Sequence, residues 1–167
     1  MPGQVIHKSL NYGYPGNVSR GNDTVIINRR VKEGEIPFGA AAIMETDNSV
    51  KAFGATNVAT DFIGVAVREV KQTADYYNVT GIYYENEPAD IITRGSVMVQ
   101  VRVGTPTARG KVYIRVAANE AIPDGVIGGF EAEADGVNTI ELSNVVFTTG
   151  QIDANKVAEV TILSRNA

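Results

Sequence analysis

Valine occupies every second position from Val97 to Val103, with Met98, Gln100 and Arg102 between. A period of two places the four valines on one face of an extended strand and the intervening residues on the other. After the turn-rich stretch GTPTARG the rhythm resumes, with Val112, Ile114 and Val116 alternating with Lys111, Tyr113 and Arg115. Two strands around such a short connection are expected to form a hairpin. Its apolar face, Val97, Val99, Val101, Val112 and Ile114, should point inward and its Arg and Lys face outward. The alternation returns in TVIIN (24–28) and in VAEVTILS (157–164), where Val160 and Ile162 are the inward positions. It also marks FEAEA (130–134), whose glutamates are expected to face solvent.

FIGVAV (62–67) is apolar on both faces, as in a strand covered on both sides. Turn signals separate these runs: NYGYPGN, KEGE, TDNS, ENEP, PDG and ADG. A helix could be drawn through residues 59–77, but its glycine and valines favour strand. Many short strands without helices to cover a parallel sheet predict an all-β fold, a single-domain antiparallel β-sandwich or jelly-roll-like barrel. Residues 1–20 are expected to form an extended N-terminal arm and 21–167 the β domain, with 117–138 as a long loop excursion.

The length of 167 residues suits one domain with a sizeable core, and an apolar fraction of 44 % with 20 % charged residues suits a folded globular chain. Cysteine is absent, so disulfides, thiolate metal sites and cysteine nucleophiles are excluded. MPGQVIHKSLNYGYPG has no apolar core of the secretory kind, so a leader is not expected. The sequons at Asn17, Asn22 and Asn78 then read as turn residues. FGAAAIM is far too short to span a bilayer, and no membrane partner is expected. The net charge of −4 is uneven: from Glu120 onward there are eight acids and two bases. Residues 1–35 instead carry five bases and three acids. Such asymmetry could bring opposite ends of neighbouring molecules together, although scattered solvated charge is the plainer reading.

Candidate chemistry is sparse. His7 is the single histidine, and no nucleophile-elbow sequence accompanies it or Ser9 and Ser19. Glu85, Glu87 and Asp90 cluster in YYENEPAD but lack the regular frame of a calcium loop. A glycosidase carboxylate pair would sit in an aromatic cleft, and the chain has no tryptophan. GVIGGF lacks the Lys-Ser/Thr of a phosphate loop. No catalytic residue, cofactor or metal is expected. The basic stretch 94–116 holds Arg94, Arg102, Arg109, Lys111 and Arg115 and no acid. Tyr113 is its one stacking aromatic, and a net acidic chain is repelled by nucleic acid, so no nucleic-acid partner is expected. These cations read first as solvated charge that blunts edge pairing, and second as a docking surface for an acidic protein.

Three blocks, in order, resemble the capsid cement, or head decoration, proteins of tailed bacteriophages: NYGYPGNVSR, then FIGVAVREVKQ with PADIITRGSVMVQV, then FTTGQIDANKVAEVTILSRNA. The resemblance runs from about Asn11 to Asn166 and is weakest over 117–138. It implies a non-enzymatic structural protein of the virion, assembled in the host cytoplasm, that binds the outside of an assembled head. The implied partner is the major capsid protein, whose neighbouring subunits it would clamp, and dimers or trimers are the implied state. The arm could lie across a neighbouring subunit, adding main-chain hydrogen bonds to a sheet edge. Tyr12, Tyr14, Arg20, Arg102 and Arg115 are the expected contact residues. The alternatives are a tail-associated or receptor-binding module, and a glycan hydrolase using the Glu85 and Glu87 region.

Overall fold

The computed structural model describes residues 12–69 and 81–165. His7, Ser9 and Asn78 lie outside the described residues. The strands are β1 (Val18–Arg30), β2 (Ile36–Pro37), β3 (Ala41–Met44), β4 (Val50–Ala52) and β5 (Phe62–Ala66). There follow β6 (Ile82–Tyr83), β7 (Pro88–Val103), β8 (Lys111–Arg115), β9 (Phe130–Glu131), β10 (Thr139–Ile152) and β11 (Val157–Ile162). Helical geometry among the described residues is confined to two 3-10 turns, Ala59–Asp61 and Gly136–Asn138. The fold is all-β, as the alternation requires.

The pairings make two rings of strands that share β7. In the larger, β7 pairs with β11, β11 with β10, β10 with β8, β8 with β9, and β9 returns to β7. In the smaller, the order β1, β7, β5, β3, β4 is closed by one parallel bridge from Val31 to Val50. Closure leaves few free edges for a second chain to join. One core lies within and between the rings and holds Val97, Val99, Val101, Val112, Ile114, Val160 and Ile162. All seven are buried, so the valine face is the inward one. A second core, with Ile36, Ala66, Tyr83 and Ile91, fills the small ring. The β5 strand separates the two cores, which is why its sequence is apolar on both faces: Val65 enters one and Ala66 the other.

β7 keeps its hydrophobic face over sixteen residues only by changing phase. Ile92 and Val97 share a core although their parity differs, and Gly95, at φ +117°, lies between them. The β1 register slips at the same place, between Arg20 and Ile26. Glycine enters this region without the steric penalty of a Cβ, and a bulge there re-aims the strand. The bulge lets one strand serve both rings.

Two expectations are overturned. β7 and β8 are not a hairpin, because β9 lies between them. It runs parallel to β7 at Val101↔Phe130 and antiparallel to β8 at Ile114↔Phe130. The connection from Gly104 to Gly110 is wide enough to admit a third strand. Phe130 supplies the reason to insert one, since its ring is buried and meets Phe62 edge to face at 6.5 Å. The segment 117–138 is therefore largely loop but also contributes a strand to the closed ring. Glu131 does not face solvent either: it is fully buried, paired with Arg115.

Tyr83 offers a test of the small ring. It is fully buried, its hydroxyl donates to the Val67 carbonyl at 2.7 Å, and Phe38 packs edge-on at 5.0 Å. Burial pushes its phenol well above the ordinary value, with the charge of Glu69 acting in the same direction. The folded state therefore favours the protonated ring. Its stabilisation is complete below about pH 10, the unfolded tyrosine value, and is lost as pH rises through the folded one. The urea midpoint is expected to fall between pH 9 and 11, and more steeply than in Tyr83→Phe. Parallel pH profiles of the two proteins would show this ring to be irrelevant.

Candidate functional site

The described part of the expected arm is bonded to the body. Tyr14-Pro15-Gly16-Asn17 closes a turn through Asn17 N–H to Tyr14 carbonyl at 3.0 Å, with Gly16 at φ +86°. Proline followed by a positive-φ glycine is the signature of a type II turn. The Gly16 N–H donates to the Met98 carbonyl and its own carbonyl accepts from the Arg68 N–H, each at 2.8 Å. A Cβ at Gly16 would lie 2.7 Å from the Arg68 nitrogen, so only glycine seats here. Upstream, the Tyr12 N–H donates to Asp153 at 3.2 Å and its hydroxyl to Gln151 at 2.5 Å. Both tyrosines remain exposed, Tyr12 by 42 % and Tyr14 by 59 %. They are held in place without being covered.

Arg68 reaches over this strip, its guanidinium 4.8 Å from the Tyr14 ring centre and 5.7 Å from that of Phe38. Cation–π geometry of this kind fixes an aromatic side chain while leaving one face free. Arg20 lies in β1 opposite Ser96. Arg102 is exposed and lines a groove of about 230 Å³ together with Pro15, Phe38 and Val126–Phe130. Arg102 also borders a wider depression shared with Asp153, the carboxylate that holds Tyr12. The structure thus links Tyr12, Tyr14 and Arg102 on one continuous tract. Arg68, Phe38, Val126 and Ile127 join it. No local signal marked Arg68 or Phe38, while the apolar pair in the glycine-rich GVIGGF is a signal that periodicity alone does not interpret.

Arg115 is not on that surface, which corrects the expectation for it. Its side chain is completely buried. The guanidinium grips both oxygens of Glu131, Nε to Oε1 at 2.5 Å and Nη2 to Oε2 at 2.9 Å. Nη1 donates to Asp135 at 2.8 Å and to the Ala117 carbonyl at 3.2 Å. Asp135 also accepts from the amides of Asn119 and Asn138, and these contacts, with Arg115, hold its carboxyl below the usual range. Glu131 and Asp135 raise the Arg115 value against burial. A bidentate, fully hydrogen-bonded guanidinium is one of the few ways to bury this charge. Gly125 leaves room for it, since a Cβ there would lie 2.2 Å from Nε. Arg115 therefore pins the 117–138 segment from inside.

Of the acidic cluster, Glu85 and Glu87 lie in the turn before β7 and Asp90 in β7 itself. The Glu87 carboxylate accepts the Tyr84 N–H at 2.8 Å, Asp90 accepts from the Asn28 amide at 2.7 Å, and Glu85 is exposed. Among the described residues no group of three or more His, Asp or Glu is placed to hold a metal ion.

Residues 1–163 match the family described as structural cement protein (E217 gp24/Pam3 gp6). The chain belongs to this family. That is the phage capsid cement family its sequence resembles, and membership carries a structural capsid role and a place in the virion. A chain of the solved capsid of Myoviridae phage XM1 shares the fold, with a TM-score of 0.68 at 16 % identity and full coverage of both chains. No curated protein matches.

Proposed function

We propose that this cement protein binds the outer surface of an assembled head, as a dimer or trimer, and clamps neighbouring major-capsid subunits. It does so as a structural element with no catalytic step, after assembly in the host cytoplasm. The observation that carries this reading is the strip from Tyr12 to Gly16, where two exposed tyrosines are held on a closed β body, Tyr12 by hydrogen bonds to Asp153 and Gln151 and Tyr14 by the Arg68 guanidinium over its ring. Preordered aromatic side chains lose little entropy on docking and are favoured interface anchors. A protein that binds the mature lattice better than other states stabilises that lattice by its differential affinity. Many copies around a shell multiply a modest contact.

The test adds purified protein to heads lacking it. Wild type is expected to saturate them, and Tyr14→Ala to weaken binding by about tenfold, the effect of losing one anchor of about 1.4 kcal/mol. Removing residues 2–11 tests the upstream arm while sparing the turn at Pro15, which packs into the body. Failure of wild type to bind heads, or its appearance on tails, would refute the proposal. Polysaccharide turnover abolished by Glu85→Gln or Glu87→Gln would refute the structural reading.

A further inference from the structure

The groove between Pro15, Phe38 and Val126–Phe130 carries an unusual charge balance for this chain. The protein has 19 acids against 15 bases, yet among the described residues no acidic side chain lines the groove. Among the described residues its one charged lining residue is Arg102, and Gln100 stands two positions before it on β7. The carboxylates that line the neighbouring depression with Arg102, Asp124 and Asp153, are already engaged. Asp124 pairs with Lys156 at 3.3 Å, and Asp153 accepts the N–H groups of Asn155 and Val157, each at 2.9 Å. Arg102 makes no ion pair among the described residues. Beside it, Val126 and Ile127 leave 48 % and 43 % of their surface exposed at the groove wall.

We propose that this groove is the seat for an extended segment of the shell protein that carries a carboxylate flanked by apolar side chains. The inference rests on the capsid-binding reading above and assigns the chemistry of its partner. The apolar side chains would cover Val126, Ile127 and Phe38, removing exposed hydrocarbon from water. The carboxylate would take the free fork of Arg102, a planar donor pair that matches its two oxygens. A groove with an apolar floor and one oriented charge selects both composition and register. Residues 2–11 of the chain itself contain no acid, so they do not supply this match.

The experiment uses the full chain and heads lacking it. Arg102→Ala is expected to weaken head binding at least tenfold, and Arg102→Glu further. Added salt should weaken wild type more than Arg102→Ala. Ile127→Asp should weaken binding similarly while leaving thermal unfolding unchanged. A photo-crosslinking residue placed at Val126 should trap a shell-protein peptide containing Asp or Glu. Failure of wild type to bind heads would defeat the capsid reading itself. Wild-type binding with unaltered affinity in Arg102→Ala and Ile127→Asp would defeat the groove alone. Crosslinks to a second copy, to the chain's own residues, or to a peptide without an acid would equally overturn the assignment.

Discussion

Replacing Arg115 with methionine should cost about 3–5 kcal/mol of stability, the range for breaking a buried ion pair by removing one partner. Methionine fills part of the same volume, so the loss reports charge and hydrogen bonding more than a cavity. Glu131 would be left fully buried without its guanidinium, and Asp135 without one of its donors. In a protein of this size each kcal/mol lowers the melting temperature by roughly 2–4 °C, so a drop of about 6–20 °C is expected by calorimetry. Arg115→Glu should be worse, because it would add a third carboxylate beside Glu131 and Asp135. Combining Arg115→Met with Glu131→Gln should recover part of the loss, since the stranded charge is then gone. A melting temperature within 2 °C of wild type for Arg115→Met would show that the ion pair contributes little. Asp135 adds a pH signature. Its folded value is depressed, so its stabilisation is present above the ordinary carboxylate range near pH 4 and disappears as pH falls through the folded value. Asp135→Asn should lose that acid limb.

Ile114→Asp should leave no folded protein. Ile114 is fully buried in the large ring, opposite Ile140 on one side and Phe130 on the other. Removing the side chain alone costs about 2–5 kcal/mol, and an unpaired buried carboxylate adds several more. Together these approach the whole stability of a typical domain, about 5–15 kcal/mol. Val99→Asp should behave alike, because Val99 faces the same core from β7. Arg102→Glu, three residues further along β7 but exposed, should fold as wild type. Size-exclusion chromatography and near-ultraviolet circular dichroism distinguish the cases. A monodisperse, folded Ile114→Asp would contradict the assignment of this face to the core.

The alternation of valine with polar residues determined the all-β class and named seven core positions, because a half-buried strand writes its two faces into a period of two. YPGN determined its own turn, since proline and a positive-φ glycine act within four residues. The alternation also placed Arg115 and Glu131 on the solvent side, and there it misled. A residue on the outer face of one strand is exposed only if nothing crosses it. Here the segment 117–138 comes back over β8, inserts Phe130–Glu131 between β7 and β8, and encloses both charges. No local rule announces a contact between residues sixteen positions apart through an intervening loop. The Arg102 groove is likewise tertiary: it joins Pro15, Phe38, β7 and Val126–Phe130, which only closure of the two rings brings together. Side-chain period is a property of one strand, whereas burial of its outer face depends on which other segments gain more by covering it than by remaining in water.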